Sequence, residues 1–456
     1  MILPVTRLQV PAPRDEPLRP QFHFTALKGW INDPHGLVFQ AGEYHLFFQH
    51  NPTGTKWGNI HWGHAVSSDL VHWEQLEEAL APDRFGMMWS GSAVVDGRNT
   101  SGLGTGGEPP IVAIYTATNP WAGKRAVQCI AASNDRGRTL AKYEANPVLG
   151  CIAAVNRDPK VVWHEPTRSW IMALFLKGSD FALFRSPDLL AWERFDDVSL
   201  PGSGECPDFF ELPVDEDPGR KRWVFWGAAG VYRLGTFDGR HFAAETETLR
   251  SESGPNGYAA QTWSDLPRED GRRIQVSWMR GGRYPRMPFN GQMSFPVELS
   301  LRGFPEGPRL CRMPVREIEL LRRETRRFDG TRLEPGARFK PETGGDLFDI
   351  EAGVRFAANA GDLVLRVHGT ELRCSARDGT FSFLGTKVPA PALDGCLPFR
   401  LLVDRTSLEL FVPPGRVSAG FCFLPEPRGA PLELSVDGGS VELSSLSIHA
   451  LSSVWK

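Results

Sequence analysis

Between residues 22 and 300 the chain offers short β-prone runs and almost no sustained helical periodicity, which constrains its fold more than any other feature. YHLFFQ (44–49), IVAIYTA (111–117), WIMALFL (170–176), WVFWGAA (223–229) and RIQVSWM (273–279) are each bounded by Gly, Pro, Asn or Asp. Regularly spaced short strands of this kind imply an all-β fold. A weak repeat sharpens the reading. SSDLVHWEQL (67–76), SNDRGRTLAKYE (133–144) and SPDLLAWERF (186–195) share a Ser, an Asp two positions on, and then an aromatic, with GTFDGRHF (235–242) as a degenerate fourth copy. Intervals of roughly 50 to 65 residues suit one four-stranded blade each, so residues 22–313 are expected to form a five-bladed β-propeller. Residues 1–21 read as an N-terminal extension. EIELLRRETRRF reads as a linker helix within 314–328, and the alternating pattern of 329–456 reads as a C-terminal β-sandwich.

A length of 456 residues suits two or three domains, and 41% hydrophobic with 23% charged residues is the balance of a globular chain. A net charge of −3 gives no electrostatic reason to expect nucleic acid or a membrane surface as partner. The 14 Trp and 28 Phe exceed what a core alone suggests and lean toward sugar binding. Seven scattered cysteines without a CxxC fit a reducing compartment. With no leader visible at the N-terminus, the expected location is cytoplasmic, or secreted if a leader has been removed.

The candidate chemistry lies in three acids. WINDPHGLVF places Asp33 between an amide and a proline, which should hold it extended at the mouth of a strand beginning near Leu37. NRDPKVVW repeats the Asp-Pro-strand arrangement at Asp158, and SGECPDFFEL carries Glu205. A lone Asp-Pro reads as a solvated turn. Three carboxyls in rigid settings, brought together on a propeller axis, suggest glycosidic chemistry, which needs one carboxyl protonated and one ionised. Asp69 and Asp188 recur at equivalent places and so read as turn residues. His61 and His64, near His35, His45 and His50, invite a metal reading. However, strand spacing puts the two on opposite faces, so they read as core histidines, with no metal.

WINDPHG, FFQHNP, WGHAVSSDLVHW, WSGSAVVD, NRDPKV and ECPDFF together resemble glycoside hydrolase family 32, the invertases, inulinases and levanases, along most of the chain. The resemblance implies a propeller followed by a sandwich and no cofactor. It also implies Asp33 as nucleophile, Glu205 as general acid/base and Asp158 as transition-state stabiliser. Asn32, Gln49, Trp57, Trp89, Ser90, Arg157, Tyr258 and Trp278 match positions that shape a fructose pocket, and Cys206 completes the EC pair. Glu205 should have a raised pKa, and Arg157 should help keep Asp158 charged. His35 and His50 depart from the family's usual residues, while MPFNGQMSFPVELSL (287–301) looks like fructan-degrading bacterial members. The implied function is a retaining, exo-acting β-fructosidase on fructans, fructo-oligosaccharides or sucrose. The alternatives are a fructosyltransferase and a catalytically silent carbohydrate-binding protein. The C-terminal unit offers a surface for a homo-oligomer.

Overall fold

The computed structural model describes residues 16–356, 361–392, 395–426 and 432–455; most of the expected N-terminal extension, residues 1–15, lies outside them. The described chain is a β-propeller followed by a β-sandwich. The first sheet pairs Gly29–Gln40 with Glu43–Asn51, then His61–Ser67 and Glu74–Gln75. The second runs Met87–Val95, Ile111–Asn119, Lys124–Ser133 and Ala141–Lys142, and the third Arg157–His164, Ser169–Lys177, Asp180–Ser186 and Glu193–Ser199. Hydrogen bonds do not divide the remaining propeller strands into a fourth and a fifth sheet. They join in one nine-stranded sheet, because Asp208–Val214 meets Val297–Arg302 through the parallel pair Val214–Leu301. Phe289–Asn290 pairs with Gly29 and Trp30, so the last part of the ring closes on the first.

Two of the Ser-x-Asp turns, at Asp69 and Asp188, use the same device, whereas Asp135 in the second copy accepts from Thr139 instead. Asp69 Oδ1 accepts from the backbone of Val71 (3.0 Å) and His72 (2.8 Å), and Asp188 Oδ1 accepts from Leu190 and Ala191 (2.9 Å each). Trp73 and Trp192 donate their indole N–H to Leu70 and Leu189, both at 3.0 Å, and those two leucines share a φ of 65°. Asp238 reproduces the turn in the fourth copy, accepting from Arg240 and His241. Backbone donors that a tight turn leaves orphaned are satisfied by one short carboxylate, so the Asp serves structure.

The expected linker helix is corrected. Arg316–Leu321 is a short 3-10 turn burying Ile318 and Leu321, and Arg322–Arg327 is a strand paired with Val441–Leu451. An unpaired sheet edge supplies ladder hydrogen bonds that a short helix cannot match, and the Arg-rich exposed strand keeps that edge from pairing further. The sandwich stacks a seven-stranded on a six-stranded sheet around its own apolar core. A second cluster runs from propeller to sandwich, linking Phe22, Phe295 and Val315 to Leu402, Phe411 and Leu451.

Candidate active site

Three elements carry the acids. The strand holding Asp33 starts at Gly29, earlier than the sequence suggested, and bulges between Ile31 and Pro34 and again between His35 and Val38. The bulges absorb a proline that cannot donate to the ladder. Asp158, unlike Asp33, is not extended: its φ is 61°, in the left-handed region. Its N–H donates to Thr116 Oγ1 (3.0 Å) and its carboxylate accepts the Cys206 N–H (3.1 Å), bonds from two other elements that override the local proline preference. Glu205 (φ 65°), Cys206 (39°) and Ala259 (53°) are left-handed as well. Such residues cost about 1–3 kcal/mol each and gather at functional sites. Here the tertiary hydrogen bonds from Ala228 to the Glu205 carbonyl (3.2 Å) and from Ala259 to the Ala228 carbonyl (3.0 Å) hold them.

The acids face one cavity of about 690 Å³. Asn32, Asp33, Gln49, Trp57, Trp89, Arg157, Asp158, Glu205, Tyr258 and Trp278 all line it. Ser90 stands behind the lining and donates to Asp33 Oδ2 at 2.8 Å. Gln49 Nε2 reaches the same oxygen at 3.2 Å and also donates to Ser90. The Cys206 thiol bridges the two buried acids, 3.5 Å from Asp33 Oδ2 and 3.6 Å from Asp158 Oδ2. Arg157 donates to Glu205 Oε1 and the Tyr258 hydroxyl to Oε2, each at 2.5 Å. Asn32 Oδ1 and the indole nitrogens of Trp89 and Trp278 are buried without a hydrogen-bond partner among the described residues. Unpaired polar atoms in a cavity lining are costly unless a ligand satisfies them.

Electrostatics divide the acids. Burial, then the charges of Asp158 and Glu205, push Asp33 up to about 7. Burial pushes Asp158 to about 6, with Arg157 pulling the other way. The expectation that Glu205 is raised is not met. Burial alone would raise it, but the Tyr258 hydroxyl and the Arg157 guanidinium stabilise the carboxylate more and hold it below the ordinary value.

Sequence reasoning did not find Arg280 or Phe175. Arg280 lines the cavity with its guanidinium 4.6 Å from the Tyr258 ring centre, and Phe175 lies under Arg157 at 4.6 Å. Arg280 sits two positions after Trp278, and the strand period could have flagged it. His35 and His50 do not line the cavity: His35 is buried against Trp62, and His50 bonds Glu78 and the Lys28 carbonyl. His45 and His64 bond each other at 3.0 Å. Elsewhere, Asp349, Glu351 and His449 cluster in the sandwich, but Arg322 and Arg400 already engage Asp349, as Arg322 does Glu351.

The sequence profile described as the Glycosyl hydrolases family 32 N-terminal domain matches residues 23–314. A levanase of Bacillus subtilis (strain 168) is 39% identical over 97% of this chain, which spans 71% of that protein. Invertase 1 of Saccharomyces cerevisiae is 36% identical over 62% of this chain and 58% of its own length. The crystal structure of exo-inulinase from Aspergillus awamori superposes with a TM-score of 0.86 at 28% identity, covering 97% of this chain and 99% of that one.

Proposed function

Because the chain belongs to glycosyl hydrolase family 32 and is a glycoside hydrolase of the β-fructofuranosidase kind, we propose that it releases terminal fructose from β-fructans and sucrose by double displacement, with Asp33, Glu205 and Asp158 in the three working roles. The observation that carries this reading is the convergence of the three acids on one cavity, with Asp33 and Asp158 bridged by Cys206 and Glu205 set apart under Arg157 and Tyr258. The Ser90, Gln49 and Cys206 bonds all reach Asp33 Oδ2, so Oδ1 is the oxygen for attack. In the first step Asp33 Oδ1 bonds to the anomeric carbon 2. The glycosidic bond breaks toward its oxygen, which takes the Glu205 proton. In the second, water gives a proton to Glu205 and attacks carbon 2, and Asp33 leaves; two inversions give retention. Asp158 holds ring hydroxyls as charge develops.

The resting charge distribution explains why substrate is needed to arm the site. With Glu205 held below its ordinary value and Asp33 pushed up to about 7, the protein's own groups disfavour the reactive combination of ionised Asp33 and protonated Glu205. A sugar that separates Glu205 from Arg157 and displaces water raises Glu205, and hydroxyls donating to the buried acids lower them. The test is chromatographic product analysis with levan, inulin, 1-kestose and sucrose, comparing the wild type with Asp33→Asn. Fructose is expected as the early product from levan and inulin, with an equal amount of glucose from sucrose and of sucrose from 1-kestose, and with a loss on the order of ten-thousand-fold in the variant. Lengthened products would move the assignment to transfer, and an unchanged variant would remove Asp33 from the mechanism.

A further inference from the structure

Seven large hydrophobic residues stand exposed among the described residues. Four of them, Trp57, Trp121, Ile152 and Val155, lie on the cavity or on the two segments that run along its rim. Single apolar side chains on a surface are ordinary, but their concentration around one entrance marks a contact surface. Trp121 is the extreme case at 70% exposed. It extends a series of rings running outward from the wall: Trp89 to Trp57 at 6.2 Å between centroids, then Trp57 to Trp121 at 4.9 Å with the planes 57° apart.

The turn that carries Trp121 is stiff for its size. Pro120 fixes the first position, and the Asn119 side chain accepts the Ala122 N–H at 3.2 Å. Gly123 closes the turn at φ 70°, its N–H bonding the Pro120 carbonyl at 3.1 Å. Thr118 and Pro120 themselves line the cavity, so the indole stands where a chain leaving the cavity would pass. No hydrolytic step uses it. A largely exposed indole on a pre-ordered turn gains little for folding, whereas the C–H face of a sugar ring gives it apolar contact at small entropic cost.

We propose that Trp57 and Trp121 form a stacking platform for the sugar units on the leaving-group side of a β-fructan, so that the enzyme favours chains longer than a disaccharide. The occupant is fixed by continuity with the cavity: an exo-acting site holds the terminal fructosyl unit inside, and the next units emerge over the rings. This rests on the β-fructosidase reading of the cavity. The platform binds ground state and transition state alike, so it acts through KM and not through kcat.

The experiment measures kcat and KM on sucrose, 1-kestose, inulin and levan for the wild type, Trp121→Ala and Trp121→Phe, with thermal melts alongside. Trp121→Ala is expected to raise KM for the long fructans by about fivefold to tenfold, the worth of one aromatic contact, with sucrose unchanged and Trp121→Phe recovering most of the loss. Melting temperature should not move, because the side chain is exposed. An active wild type in which Trp121→Ala leaves fructans unaffected, or weakens sucrose equally, overturns the platform and spares the fructosidase reading. A wild type that releases fructose from none of the four overturns both.

Discussion

The cavity floor and the seam between propeller and sandwich both bury carboxylates, and they treat them in opposite ways. At the seam, His23 is buried with Nδ1 on Asp404 (2.9 Å) and Nε2 on Glu409 (2.7 Å). Asp404 also accepts the backbone N–H groups of Gln21, Phe22 and His23, and Glu409 that of Phe295. Burial lowers the imidazolium, but the two carboxylate bonds outweigh it and hold His23 at about 9, while Asp404 is held below its ordinary value. Every charge there has its partner. At the cavity floor Asp33 and Asp158 are buried too, yet Arg157 bonds Glu205 and stands 3.6 Å from Asp158. The seam uses buried charge to fix one arrangement of two units. The site keeps its charge underpaired, so that a ligand completes it.

The largest effect that could break this contrast comes from Asp33→Asn, which should be inactive and yet more stable. Asp33 has its pKa raised, so the folded state holds a proton the unfolded state releases. The cost therefore grows as pH rises above 3.8 and is complete above about 7. A shift of roughly three units corresponds to about 4 kcal/mol as an upper bound. Denaturant unfolding at pH 8 should show a gain that vanishes near pH 4, and a variant less stable at both would show that the cavity floor is not underpaired.

His23→Ala should do the reverse, costing about 3–5 kcal/mol by leaving two buried carboxylates without a cation. The raised His23 contributes stability fully below 6.5, and that contribution is lost as pH rises through about 9. The wild type should accordingly lose stability between neutrality and pH 10 more steeply than the variant. Equal slopes would remove the ionic seam.

The smallest effect sharpens the assignment inside the cavity. Tyr258→Phe deletes a donor to ionised Glu205 and should move that group's pKa upward. In the pH profile of kcat/KM the limb belonging to Glu205 then rises while the limb near 7 stays in place. Movement of the upper limb instead would exchange the two acids' places in the titration.

Most of the site's membership was legible because its residues sit in short motifs whose local chemistry is unusual: Asp-Pro at Asp33 and Asp158, and Glu-Cys-Pro at Glu205. Their conformation was less legible. The left-handed Asp158 and the early start of the Asp33 strand depend on hydrogen bonds from partners far along the chain, and so did the conversion of the expected helix at Arg322–Arg327 into an edge strand. Trp121 carries no motif at all; only its turn and its distance from Trp57 single it out.

The sequence by itself determined the all-β class, the blade-like repeat and the identity of the acids, since period-two patterning, turn chemistry and motif residues are local properties. The tertiary structure alone decided which carboxylate is raised and which is lowered, and how the two units are joined. Glu205 and Asp33 differ in pKa because Arg157 and Tyr258 face one and not the other, and His23 meets Asp404 and Glu409 across more than 380 positions of chain. Burial and charge act through space, and only the folded chain sets those distances.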